Sequence, residues 1–426
     1  MMHNYLEKII PLTILIVGVA SVQGMASVPI GNTTIWWLIQ TIVLLIFLVS
    51  LRYGNLETES TSVMVTVKLY LLWNVISILR GFFLAEVYWD WKGLILNTFA
   101  LILPIVAYTA SNKEILQSML SFYLRYALPF YLLIFPVLPI GAIGSYLYPV
   151  AFLVLFIPAL TPKGKAIVFV LALSGILCDL STRSYILKYG IPILMLIFYY
   201  SKYITYSTPL IEFSRKAFMF IPWLFFFLAI SGVFNIFRMD EYLNKSYVAT
   251  TKNAEGEVIE QDITKDSRTF LFEEVLSSAK KHNYWIIGRS PARGNETSFF
   301  DWMDASGRGE RLRNEAGILN VFTWTGIVGV ILYFFVFYRA SWIAINQSNN
   351  IYSKLTGLFV SFRWMYAWAE DINMFNLNYF MIWVMIGICF SHSFRKMNDA
   401  EVKLWVRGIF EKKYYRKYRE YILEIH

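Results

Sequence analysis

The chain has 426 residues, 57% of them hydrophobic and 18% aromatic, with only 16% charged, a net charge of +9 and a mean hydropathy of +0.51. Ordinary soluble domains carry ~25% charged residues and need a polar surface, so this composition excludes a soluble enzyme, a disordered chain and a disulfide scaffold. An all-α integral membrane protein remains, because about 12 helices of ~20 residues would absorb the apolar content.

Apolar runs predict spans near 9–28, 33–51, 62–82, 94–110, 117–138, 142–160, 165–181, 185–201, 217–236, 317–338, 354–370 and 376–393. Lys8 precedes the first run without a small-residue cleavage site after it, which reads as an anchor rather than a removed signal. Arg52, Lys113, Lys163, Lys165, Arg215, Lys216, Arg339 and Lys354 fall in alternate connections. The positive-inside rule then places both termini in the cytoplasm. Four segments follow: spans one to nine (1–236), an external segment (237–316), spans ten to twelve (317–393) and a basic tail (394–426).

The segment 237–316 holds 14 of the 29 acidic residues and 12 basic ones, so it is charged but nearly neutral. Phe270, Leu271, Val275 and Leu276 recur at helical spacing after Asp266 or Ser267 as a cap, which predicts an ordered external unit. The tail interleaves tyrosines with cations over Lys412–Arg419. Basic and aromatic residues together bind nucleic-acid strands, but next to a last span they fit a juxtamembrane helix on anionic lipid, and no nucleic acid is expected.

Candidate chemistry gathers at the external ends of the spans. Arg183, in Asp179-Leu180-Ser181-Thr182-Arg183-Ser184, stands where the positive-inside rule disfavours a cation. A guanidinium suits a forked anion such as a diphosphate, although an ion pair with Asp179 or snorkelling would also account for it. Arg268 falls in the first turn of the predicted loop helix, against the dipole, so a ligand or a nearby carboxylate must compensate it. Glu315 opens span ten, where a carboxylate favours the helix and an i to i+4 pair with Arg311 is available. Arg289, Arg293 and Arg313 in the external segment, and Glu370 with Asp371 at the end of span eleven, are further candidates for substrate contact. Two adjacent acids do not make a spaced acidic motif, and the four histidines and two cysteines are scattered, so neither metal nor cofactor is expected.

These elements resemble the O-antigen polymerase and O-antigen ligase superfamily. Ser181-Thr182-Arg183-Ser184 is similar to its Ser-Arg element. Asp266-Ser267-Arg268 through Trp285-Ile286-Ile287-Gly288 is similar to its loop helix and the glycine-bearing stretch that follows. Glu315 through Gly326-Ile327-Val328-Gly329 is similar to its Gly-x-x-Gly motif. Two positions depart: Ser290 stands two residues after Gly288 where a second glycine belongs, and Glu315 stands where ligases carry histidine. The second departure favours the polymerase branch.

The resemblance implies a C-type membrane glycosyltransferase, independent of metal, in the bacterial inner membrane. It implies undecaprenyl-diphosphate-linked glycans as donor and acceptor, and a chain-length regulator as a partner. Arg183 and Arg268 would hold the diphosphate, and Glu315 would be the base. A ligase delivering glycan to a lipid A core is one alternative. A lipid-linked glycan flippase is another, although it should show inverted repeats, and none is visible.

Overall fold

The computed structural model describes residues 2–53, 58–179, 183–201, 207–238, 248–252, 258–262, 268–297 and 308–425. These residues are overwhelmingly helical, with two small antiparallel strand pairs in the segment after residue 236. Among them, seven helices are long and apolar enough to cross a membrane: Tyr5–Met25, Thr33–Tyr53, Val65–Leu84, Tyr88–Ala110, Lys113–Val137, Thr208–Ile230 and Gly317–Asn346. A helix satisfies its own backbone groups, which is what a hydrocarbon solvent demands.

The distribution of apolar side chains fits that solvent. Leu132, Leu133, Leu194, Ile197, Phe213 and Phe227 point outward and are exposed. In water such a belt would be an aggregation surface; in lipid it costs nothing. The centre is the reverse. Every residue of the helix Leu377–Phe390 is buried, and Gly387 lets it approach Ala107, whose carbonyl oxygen would lie only 2.4 Å from an added Cβ. The helices Gly317–Asn346 and Ile351–Tyr366 flank it, joined by the rings of Tyr70, Tyr333, Trp364 and Trp383. The class this defines is a helical, multi-pass membrane protein.

Five of the twelve predicted spans, 142–160, 165–181, 185–201, 354–370 and 376–393, are not among the seven long apolar helices. The stretch 142–160 is not one helix but three short ones, Ala142–Tyr146, Tyr148–Val154 and Ile157–Ala159. Pro149 and Pro158 each open a new piece, because proline lacks the N–H that would continue the ladder. The run predicted at 217–236 is a helix over Ser207–Ile230, ended before Gly232 at φ +71°. Arg215 and Lys216, predicted in a connection, therefore lie inside this helix. Arg215 is fully buried there, bonded twice to Glu212 at 2.7 Å and lying 4.6 Å from the Tyr338 ring.

The tail folds back onto one end of the bundle. Its helix Asp399–Phe410 starts at an Asn398/Glu401 capping box, and Trp405 and Arg407 reach the carbonyls of Lys113 and Ala159. The helix Lys412–Ile425 follows.

At the opposite end sits the segment between Ile230 and Gly317. Its helix Thr269–His282 buries Leu271, Val275 and Ala279, and Phe272 stacks on Trp368 of the bundle. The three basic residues of its last turn suit the negative helix end, and Asn283 closes it in the left-handed conformation at φ +52°. The proposed caps Asp266 and Ser267 lie outside the described residues. Asn295–Glu296 then pairs with Glu310–Arg311.

Candidate functional site

The site begins with a break in a helix. Gly317–Asn346 is interrupted at Gly326, whose φ +69° and ψ −171° belong to glycine alone. The stretch Tyr284–Arg289 fills the gap. Ile327 and Val328 donate to the carbonyls of Trp285 and Ile286 at 2.8 and 3.3 Å, and the Arg289 amide donates to Thr323 at 2.7 Å. Trp73 Nε1 satisfies the Thr325 carbonyl at 2.8 Å, and Arg80 donates to the carbonyls of Ile287 and Gly288. Gly288 and Gly326 meet backbone to backbone: a Cβ on the first would lie 2.5 Å from the Gly326 nitrogen. The two glycine-bearing motifs are thus one interlocked unit. Ser290, where a second glycine was expected, is buried with φ +139°, so the backbone there still asks for glycine.

Beyond the interlock, charges pair across the chain. Arg268 is ion-paired with Glu315, 47 residues away, and Arg311 reaches the other oxygen of the same carboxylate at 3.4 Å. The carboxylate that Arg268 required is therefore Glu315, and the local Arg311 pair forms as well. Glu315 remains about half exposed. Arg289 and Arg293 both grip the buried Glu310, with contacts of 2.8 Å from Arg289 and 3.0 Å from Arg293 Nε. Burial pulls the Arg289 guanidinium below its usual range, and the Glu310 bond raises that of Arg293. On the face of the loop helix, Glu296 takes Lys281 at 2.9 Å and His282 at 2.7 Å. The Lys281 bond, with His282 adding to it, holds the Glu296 carboxyl below the usual range.

Arg313 is bonded to Asp371 at 3.0 Å, and Asp371 also accepts from Asn320 at 3.1 Å and the Asn373 amide at 3.0 Å. Next to this group the returning helix is tied down: the amides of Gly317 and Ile318 donate to the carbonyls of Glu370 and Ala367. Those are orphan donors of one helix, satisfied by the cap residue of the helix Ile351–Tyr366 and by the connection just beyond it.

Arg313, Glu370 and Asp371 line a cavity of about 350 Å³, its wall part polar and part apolar, that runs between the first two helices, Ser145, and the start of the helix Arg183–Ser201. Its deepest charge is Lys188, which is 3% exposed, ion-paired with Glu370, and within 5.1 Å of the Tyr148 ring. Sequence reasoning passed over Lys188. The signal was a lone cation inside an apolar run, which at membrane depth is a functional candidate by default. Gln40, about seven residues into the helix Thr33–Tyr53, also lines the cavity.

Arg183 is exposed in the first turn of its helix, one residue before the lining Ser184. Leu180, Ser181 and Thr182 lie outside the described residues. Seven of the eight candidates thus fall into three groups: Arg268 with Glu315, Arg313 with Glu370 and Asp371 at the cavity, and Arg289 with Arg293 on Glu310; the eighth, Arg183, opens the helix whose Ser184 lines the cavity. Among the described residues no cluster of three or more His, Cys, Asp or Glu has a metal-holding arrangement. No family model, curated protein or solved structure matches the chain.

Proposed function

We propose that this chain is a membrane glycosyltransferase that joins undecaprenyl-diphosphate-linked oligosaccharide repeats into an O-antigen, capsule or exopolysaccharide. The reading places twelve spans in a bacterial inner membrane, both termini in the cytoplasm and the segment 237–316 outside. The observation that carries it is the Arg268–Glu315 pair, formed two residues along the chain from Arg313, which lines the cavity. A forked cation already facing a carboxylate is built to exchange that carboxylate for a diphosphate.

The exchange supplies the chemistry. A donor diphosphate drawing Arg268 and Arg183 to itself releases Glu315 Oε2, which then accepts the proton of the attacking acceptor hydroxyl. The bond from the anomeric carbon to the phosphate oxygen breaks, its electron pair leaves with the lipid diphosphate, and the new glycosidic bond forms. Guanidiniums stabilise the departing charge, so the step needs no metal. In a cell lacking the chain, lipid A core or its equivalent should carry single repeats; glycan-free core would instead favour the ligase. Restoring the gene with Arg268→Ala or Arg183→Ala at equal abundance should leave single repeats, and normal polymer from both would overturn the diphosphate assignment.

A further inference from the structure

We infer that the cavity at Lys188 and Glu370 is a subsite for a neutral sugar ring, and assign it to the acceptor end of the glycan. Only the word acceptor rests on the polymerase reading; the sugar chemistry stands on the cavity itself. Three observations lead there.

The first is charge. The cavity holds two cations and two carboxylates, Lys188 with Glu370 and Arg313 with Asp371, and each cation is already bonded to a carboxylate. A ligand therefore meets a surface with no net charge, which gives a diphosphate or a uronate no advantage. The second is hydrogen bonding. The hydroxyls of Ser145 and Ser184 and the amides of Gln23, Gln40 and Asn376 belong to the wall, and hydroxyls and amides can both donate and accept. A sugar hydroxyl does the same, and so matches that set. The third is shape and wall. A volume of about 350 Å³ lies at the small end of ligand pockets, which run ~300–1,000 Å³, and suits the end of an oligosaccharide rather than a polymer. Tyr148, Tyr185 and Phe375 add apolar wall beside the polar groups, with Lys188 Nζ lying over the two tyrosine rings.

The test is ligand-observed saturation-transfer NMR on the full chain in lipid nanodiscs. The probes are methyl glucoside, methyl N-acetylglucosaminide, glucuronate and inorganic diphosphate. Two variants alter the cavity without touching its ion pairs: Ala20→Phe fills it, and Gln40→Met removes one amide from its wall. Gly190→Ala, where an added Cβ meets nothing within 4 Å, serves as control. The neutral glycosides should receive transfer in wild type and control, lose it in Ala20→Phe, and bind roughly threefold to tenfold more weakly in Gln40→Met, the range expected for one hydrogen bond. Absent transfer, transfer indifferent to both variants, or a preference for glucuronate would overturn the subsite. The two readings fail separately. Sugar binding in a protein that never extends a lipid-linked repeat removes the polymerase and keeps the subsite. Extension without sugar contact removes the subsite alone.

Discussion

Gly326→Ala should loosen the loop from the bundle, and the structure sets the size of the effect. At φ +69° and ψ −171° an alanine is strained by ~1–3 kcal/mol. Its Cβ would also lie 2.2 Å from the Ile286 carbonyl oxygen and 2.4 Å from the Gly288 nitrogen, so the stretch Tyr284–Arg289 must move away. That movement breaks the bonds from Ile327 and Val328 to the Trp285 and Ile286 carbonyls, each worth ~0.5–1.5 kcal/mol. The combined destabilisation is about 2–6 kcal/mol. Heating the detergent-purified protein and following the monodisperse fraction should show unfolding several degrees early, with faster protease cleavage after residue 282. Gly190→Ala, inside a helix with room for the methyl, is the control and should not lower the midpoint. A Gly326→Ala midpoint within about 1 °C of wild type would refute the interlock.

Glu310→Gln leaves two partly buried guanidiniums without their carboxylate and should destabilise the loop by ~1–3 kcal/mol, visible as lost amide-exchange protection over residues 289–294. Ser290→Gly relieves a positive φ and should raise thermal stability in the same assay. Glu315→Gln should keep lipid-linked donor bound while turnover falls ~10²–10⁴-fold; a nearly normal rate would make Glu315 a counter-charge for Arg268 and Arg311 only. The Glu296 carboxyl is held low in the folded chain, so its contribution is fully present above the unfolded value of ~4.3 and is lost as pH falls through the folded one. Proteolysis of the loop should accordingly rise in acid, with a pH dependence that Glu296→Gln flattens. Lys280→Cys in a Cys178→Ser background should react with an impermeant thiol reagent in intact cells whose outer membrane has been opened; reaction only after inner-membrane lysis would invert the topology.

Hydropathy was enough to find the long helices, because a lipid-facing run is a local property of the chain. It merged 142–160 into one span because the residues are uniformly apolar, and only Pro149 and Pro158 hinted at the break. The Arg311–Glu315 pair was readable, being four residues apart on one local turn. The Arg268–Glu315 pair and the Arg289/Arg293 grip on Glu310 were not, since each joins positions whose proximity depends on the loop folding back over the bundle. Gly326 was legible as a motif but not as a helix break, because a glycine inside an apolar run looks the same whether the helix continues or stops. Lys188 was visible and was missed: sorting cations by connection hid cations that lie within helices, Lys188 and the buried Arg215 among them, and the uncharged Gln40 fell outside that sorting.

The central claim is polymerisation of lipid-linked repeats without a metal. The direct measurement incubates the purified, detergent-solubilised chain with a defined undecaprenyl-diphosphate-linked repeat in the presence of a chelator and resolves the products by size. A ladder of integral repeats, with release of undecaprenyl diphosphate, is the predicted result. No ladder from protein that remains folded and monodisperse, or a ladder that appears only when magnesium or manganese is restored, would contradict the account.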